Sequence, residues 1–163
     1  MHGTYETIDN RPALRFERRL NHPVDRVWQA ISEPAELKAW FPSTVSGEIA
    51  PGASLTFTFE QGEAPTMHGE VTEHDPPRRL AFYWGDDHLR FELEPSENGC
   101  LLRFTALLDA RDKAARDAAG WHTCLDRLEA ALDGSGDDGD EAWRELYAEY
   151  ERRGLPTGAP VPS

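Results

Sequence analysis

The chain is poor in cysteine, in basic side chains and in long apolar runs, and each shortage narrows what it can be. Only Cys100 and Cys124 occur in 163 residues, without the dense, even spacing of a secreted disulfide framework, so reduced thiols and a cytoplasmic setting are expected. Lys and Arg number 17 against 30 Asp and Glu, a net charge of −13. A surface of that sign repels phosphate backbones instead of releasing their counterions, which argues against nucleic acid and anionic membrane as partners. No window approaches the roughly eighteen apolar residues of a membrane span, and the opening residues lack a basic stretch followed by an apolar one. Neither membrane insertion nor a signal peptide is expected. The motifs G-x-S-x-G and Walker A are absent, as is any cysteine pair at metal spacing, and the G-x-G-x-x-G spelled by residues 134–139 is an acidic linker that follows a predicted helix, not the turn from a strand into a helix that a dinucleotide site needs. Hydrolase, kinase and dehydrogenase readings drop out, and no cofactor and no metal are expected.

What the chain does have is bulk. Apolar residues make up 39% of it, with seven Phe, five Trp and four Tyr, enough for one ordinary domain with a core and a cavity inside it. The acid excess is uneven: residues 133–163 hold eight acids and three Arg, so the C-terminal piece is the more acidic per residue.

Residues 13–20 alternate, with Leu14, Phe16, Arg18 and Leu20 on one face and Arg15, Glu17 and Arg19 on the other, the period of a half-buried strand. Pro23 then suits the first turn of a short helix carrying Val24, Val27, Trp28 and Ile31, and a second brief helix over Ala35–Phe41 is stopped by Pro42. From residue 43 to 108 alternation returns, punctuated by turn residues, and predicts six antiparallel strands at 44–49, 53–60, 66–74, 79–85, 88–95 and 100–108. One face of this meander is aromatic: Leu55, Phe57 and Phe59 on one strand, Met67 and Val71 on the next, then Phe82 with Trp84, Phe91 and Phe104. Residues 112–133 read as one long helix with Trp121 or His122, Leu125 and Leu128 on its apolar stripe, Asp109 or Asp112 as its cap and Gly134 as its stop. Gly120 inside that helix costs about 1 kcal/mol relative to Ala, which points to a close approach by a neighbouring element or a ligand.

The chain thus divides into an N-terminal segment at 1–12, a sheet-and-helix domain at 13–133, an acidic Gly-rich linker at 134–139, and a helix with tail at 140–163. In the last piece Trp143, Leu146, Tyr147 and Tyr150 share one helical face, with Asp140 as the cap, and a Pro-rich end is expected to be unordered. That stripe must be buried either on the same chain, the arrangement preferred here, or on a second subunit, which leaves a homodimer open.

Strand, two short helices, meander and long helix together form an α+β helix-grip arrangement: a seven-stranded curved antiparallel sheet wrapped around a C-terminal helix. Three blocks resemble one branch of it. Glu17-Arg18, His22-Pro23, Val27-Trp28, Ala30-Ile31, Pro34, Leu37 and Trp40-Phe41-Pro42 are similar to the opening motif of the activator of Hsp-ninety ATPase homologue-like family in the SRPBCC (START/Bet v 1-like) superfamily. Gly69-Glu70-Val71, Asp75-Pro76-Pro77, Arg79-Leu80 and Trp84 resemble its central hairpin, and Gly120-Trp121, Cys124-Leu125 and Leu128 the start of its last helix. The resemblance covers about residues 13–133. It implies the fold, and the superfamily's range implies three roles: a small hydrophobic or aromatic ligand held between sheet and long helix, a polyketide cyclase- or dehydratase-like enzyme using the same cavity, and an interaction protein like the chaperone activators.

Under the first two roles the lining would be Trp40 and Phe41 near the second helix, the aromatic sheet face with Met67 and Val71, and Trp121, His122 and Leu125 on the long helix. The same positions would serve equally as plain core. His122 is the candidate general base, though it sits at the edge of the helix stripe, where a hydrogen-bonded structural role is the alternative. His68, Glu70 and His74 share a parity opposite Met67 and Val71 and are expected to face solvent, with no established zinc spacing. Arg18 at an inward position needs a partner: an anionic ligand group, backbone carbonyls, or a carboxylate such as Glu48 or Glu70.

Overall fold

The computed structural model describes residues 2–60, 64–135 and 139–160, with side chains described from residue 143 in the last segment. Strands β1 (Thr4–Ile8) and β2 (Arg11–Leu20) lead into helices α1 (Val24–Ser32) and α2 (Pro34–Leu37). Then follow β3 (Thr44–Ser46), β4 (Ser54–Thr58), β5 (Met67–Asp75), β6 (Arg79–Trp84), β7 (Asp87–Ser96) and β8 (Gly99–Leu107). A short 3-10 turn at Arg111–Lys113 precedes the long helix α3 (Ala114–Asp133), and α4 (Gly139–Arg152) closes the order.

The strands form one antiparallel sheet in the order β1-β2-β8-β7-β6-β5-β4-β3. It has eight strands, one more than the alternation from residue 13 onward predicts. The extra strand is β1, joined to β2 through Asp9 and Asn10, whose positive φ angles of 52° and 63° make the tight two-residue hairpin that asparagine and aspartate tolerate. The other seven strands lie within two residues of their expected positions except β3, which is confined to Thr44–Ser46. Residues 61–63, between the strands predicted at 53–60 and 66–74, fall outside the described residues, as does part of the 134–139 linker, and Asp140, the expected cap, lies within α4 as its second residue.

The sheet curls where β5 changes partners: Met67 to Glu70 pair with β4, whereas Val71 to Asp75 pair with β6 across a bulge between Val71 and Glu73. Gly69 makes the curl feasible, because a Cβ there would fall inside the van der Waals shell of the Tyr83 carbonyl oxygen. Helix α3 lies across the concave face, burying Ala118, Trp121, Leu125 and Leu128, and ends at Gly134 in the left-handed conformation (φ 75°).

Two expectations for the C-terminal part change. Neither Asp109 nor Asp112 caps α3 through its side chain. Instead the Ala115 N–H donates to the Pro156 carbonyl at 2.9 Å, and Ala159 N–H donates to the Asp112 carbonyl at 3.2 Å. The Pro-rich end is therefore packed through residue 160, held because it supplies an acceptor that the first turn of α3 lacks. The aromatic stripe of α4 packs on the same chain, with Tyr150 fully buried beside α3.

Candidate functional site

Most of the aromatic face closes on itself. Phe82 stacks on Phe57 and on Phe91, with ring centroids 6.0 Å apart in each pair. Phe91 meets Phe104 at 4.8 Å, Phe104 meets Trp121 at 4.9 Å, and Phe16 packs on Phe104 from the other side. Phe57, Val71, Phe82, Phe91, Phe104 and Leu125 are all 2% exposed or less. Trp40 is held among them, its indole N–H donating to the Ala30 carbonyl at 3.0 Å. The centre of the grip is filled by side chains, and the space lies at its open end.

There Phe41, Trp84 and Trp121 meet edge to face and tilted, with centroids 5.4–5.9 Å apart. The Trp84 indole N–H donates to Ser43 Oγ at 3.1 Å, which fixes the ring's direction from outside. Between these rings and α4 is a slot of about 210 Å³ lined by Pro42, Trp84, Gly120, Trp121, Cys124 and Trp143, with Arg116 and Asp117 at its rim. Trp143 projects from α4 over Gly120: a Cβ built on Gly120 would stand 3.9 Å from the Trp143 Nε1. The missing side chain inside α3 is thus the floor of the slot.

The slot opens onto a wider cleft of about 910 Å³ that it shares Trp84, Arg116 and Asp117 with, and to which Phe59 and Met67 add apolar wall. A third cleft of about 570 Å³ runs past Phe41, Pro42 and Phe59 toward Arg127. The wide cleft is charged. Lys113 Nζ donates to both carboxylate oxygens of Asp87 at 2.9 Å and to Asp109 at 2.6 Å, and lies 3.7 Å from Asp117. Burial pushes the Asp87 carboxyl up against the opposing pull of Lys113. Burial also works against the Lys113 charge, but the bonds from Asp109 and Asp87 outweigh it and raise its pKa. Arg116 Nε donates to Asp117 at 2.9 Å and its Nη1 donates to the Pro160 carbonyl at 3.0 Å, drawing the C-terminal tail onto the rim.

His122 points away from this end. Its Nδ1 lies 2.8 Å from the Tyr150 hydroxyl, which also accepts the Gly3 N–H at 2.8 Å, and its Nε2 is 3.6 Å from Asp126. Burial, against the pull of Asp126, pushes the imidazole pKa down to about 4. With the Asp126 carboxylate favouring the N–H on Nε2, Nδ1 of the neutral ring accepts a hydrogen bond from the Tyr150 hydroxyl, so Tyr150 donates to one partner and accepts from the other, and the triad clasps α3, α4 and the N-terminal segment. Arg18 is 5% exposed and pairs with Asp126 at 2.6 Å and Glu129 at 3.5 Å on α3. Its carboxylates therefore come from the helix that lies over the sheet, not from Glu48 or Glu70. His68 and Glu70 are exposed, whereas the β5 bulge turns His74 half inward against Trp28. Among the described residues no group of three or more His, Cys, Asp and Glu is placed to hold a metal ion, and no helix is long and apolar enough to cross a membrane.

Of the expected lining, the structure brings Trp84 and Trp121 together at the slot and Phe41, Phe59 and Met67 to the flanking clefts. Sequence reading missed Pro42, Arg116, Asp117 and Trp143 as lining. The one signal for this place was Gly120, at odds with its helix.

Comparison with known proteins fits this architecture. Residues 21–133 match the model of the family described as Activator of Hsp90 ATPase homolog 1-like protein. No curated protein sequence matches the chain. Among solved structures, a conserved protein of unknown function from Enterococcus faecalis superposes with a TM-score of 0.76 at 19% identity, covering 93% of this chain and 89% of that one. CalU16 from Micromonospora echinospora superposes at 0.71 with 22% identity over 93% and 92% of the two chains. A Bordetella parapertussis protein does so at 0.70 with 24% identity over 98% and 95%. The chain belongs to the Activator of Hsp90 ATPase homolog 1-like family of the SRPBCC superfamily and has its helix-grip fold.

Proposed function

We propose that the protein binds a small aromatic or hydrophobic molecule at the open end of the grip, with the ring in the slot between Trp84, Trp121 and Trp143. The observation that carries this reading is the slot itself: about 210 Å³ walled mainly by apolar groups and floored by a glycine that its helix would otherwise disfavour. A dry cavity of about 150 Å³ takes benzene, so the slot suits one ring or a fused pair.

The cyclase- or dehydratase-like alternative needs a titratable group free to move a proton beside the ligand. Asp117 is bonded to Arg116 and close to Lys113, and His122 faces α4. The groups at the rim are committed to ion pairs, which favours binding without turnover. A chaperone-docking role finds little apolar support, because Tyr83 is the single exposed large hydrophobic among the described residues.

Titration with a neutral naphthalene-type fluorophore tests the proposal. Saturable one-to-one binding that quenches tryptophan emission and is weakened by Trp143→Ala is expected. Absence of saturable binding, with no retained small molecule in native mass spectra, would overturn it.

A further inference from the structure

Resting on the ligand-binding reading above, we infer that the slot is an aromatic cage for an organic cation: a quaternary or alkyl-substituted ammonium group, either as the whole ligand or as its buried end. Three of the chain's five tryptophans converge there. Trp84 and Trp121 stand at 67° to each other with centroids 5.4 Å apart, giving two walls at different angles, and Trp143 lines the slot from α4, with its Nε1 nearest Gly120. Indole faces are the strongest aromatic partners for a cation, because the ring quadrupole puts negative charge on the face. A purely apolar ligand would need no such concentration of indoles.

The surrounding charge agrees. The wide cleft into which the slot opens is bordered by Asp86, Asp87, Asp109 and Asp117 against Lys113 and Arg116. Both cationic side chains are engaged within the protein: Lys113 with Asp87 and Asp109, Arg116 with Asp117 and the Pro160 carbonyl. An anionic ligand would meet carboxylates in excess with those two cations already bonded. With four carboxylates against two cationic side chains the cleft stays net negative after pairing, and a cation would meet that excess at the rim, after steering by a chain of net −13. Preorganisation is built in, since Ser43 holds Trp84 and the core holds Trp121.

The test is a matched pair of probes, phenyltrimethylammonium and its neutral isostere tert-butylbenzene, titrated against the intact chain by tryptophan fluorescence at low ionic strength. The cation should bind at least tenfold more tightly, in line with cation–π energies in desolvated sites. Trp143→Leu, which keeps the apolar cover and removes the π face, should lower cation affinity tenfold or more and the neutral probe's by threefold at most. Asp117→Asn should weaken the cation selectively. Equal binding of the two probes, or equal loss of both in Trp143→Leu, overturns the cage while leaving the apolar-ligand proposal standing. Failure of both probes to bind overturns the cage and that proposal together. Circular dichroism of each variant separates loss of binding from loss of fold.

Discussion

Gly120→Ala sets the stability of α3 against the use of its surface. Glycine inside a helix costs about 1 kcal/mol relative to alanine, and the built Cβ meets nothing nearer than the Trp143 Nε1 at 3.9 Å, an ordinary contact. The added methyl should therefore stabilise the protein by about 1 kcal/mol, a rise of roughly 2–4 °C in Tm for a chain of this size. The same methyl takes about as much space as one water, roughly 30 Å³, from a slot of about 210 Å³. A ring that fills the slot must then shift or strain, at about 1–3 kcal/mol, which is roughly a fivefold to 150-fold loss of affinity. Thermal denaturation and probe titration on the same samples measure both. A lower Tm would refute the contact geometry around Gly120, and unchanged affinity with a raised Tm would refute the slot as the binding place.

Acidification should weaken the fold through two buried histidines. Burial pushes His122 down to about 4, and burial followed by the Arg90 and Arg11 charges does the same to His88. Between the unfolded value near 6.5 and the folded value the unfolded chain binds more protons, so stability is full above that window and falls with pH inside it. Each ring contributes a loss of about 2 kcal/mol between pH 7 and pH 5. Urea midpoints at the two pH values measure this, and a flat profile would count against neutral, buried rings. Tyr150→Phe, which strips both the His122 and Gly3 bonds, should cost about 1–3 kcal/mol and shrink the acid sensitivity, because His122 gains a freer route to protonation. Gly69→Ala should cost about 3 kcal/mol or fail to fold, since the Tyr83 carbonyl occupies the Cβ position. A soluble variant with wild-type stability would show that the sheet's curl does not depend on that residue.

The fold was legible because its signals are periodic. Leu14, Phe16, Leu89, Phe91, Leu102 and Phe104 alternate as the pleat demands, and they are buried where alternation puts them. Strand β1 escaped because Tyr5 and Ile8 are only modest apolar markers and the Asp9-Asn10 turn carries no glycine, so it reads as loop until the positive φ angles are seen. The candidate site was half legible. Trp84 and Trp121 follow from parity, but parity cannot separate a ring that packs on another ring from one that faces a gap. The difference between Phe82 and Trp84, two residues apart on one face, is set by what α3 and α4 bring opposite them. Arg116, Asp117 and Trp143 become neighbours only through the return of α4 across α3, a contact between distant parts of the chain. Arg18 shows the same limit: its inward direction was readable, its partners on α3 were not.

The clasp at Tyr150 also bears on kinetics. Gly3 and Tyr150 are 147 positions apart, so their bond closes a very long loop, a contact whose entropy cost favours late formation. Interactions completed after the folding transition state slow unfolding without speeding folding. Tyr150→Phe is therefore expected to speed unfolding and leave the folding rate unchanged in stopped-flow measurements, the behaviour of a late latch; a slowed folding rate would place the clasp in the folding nucleus instead.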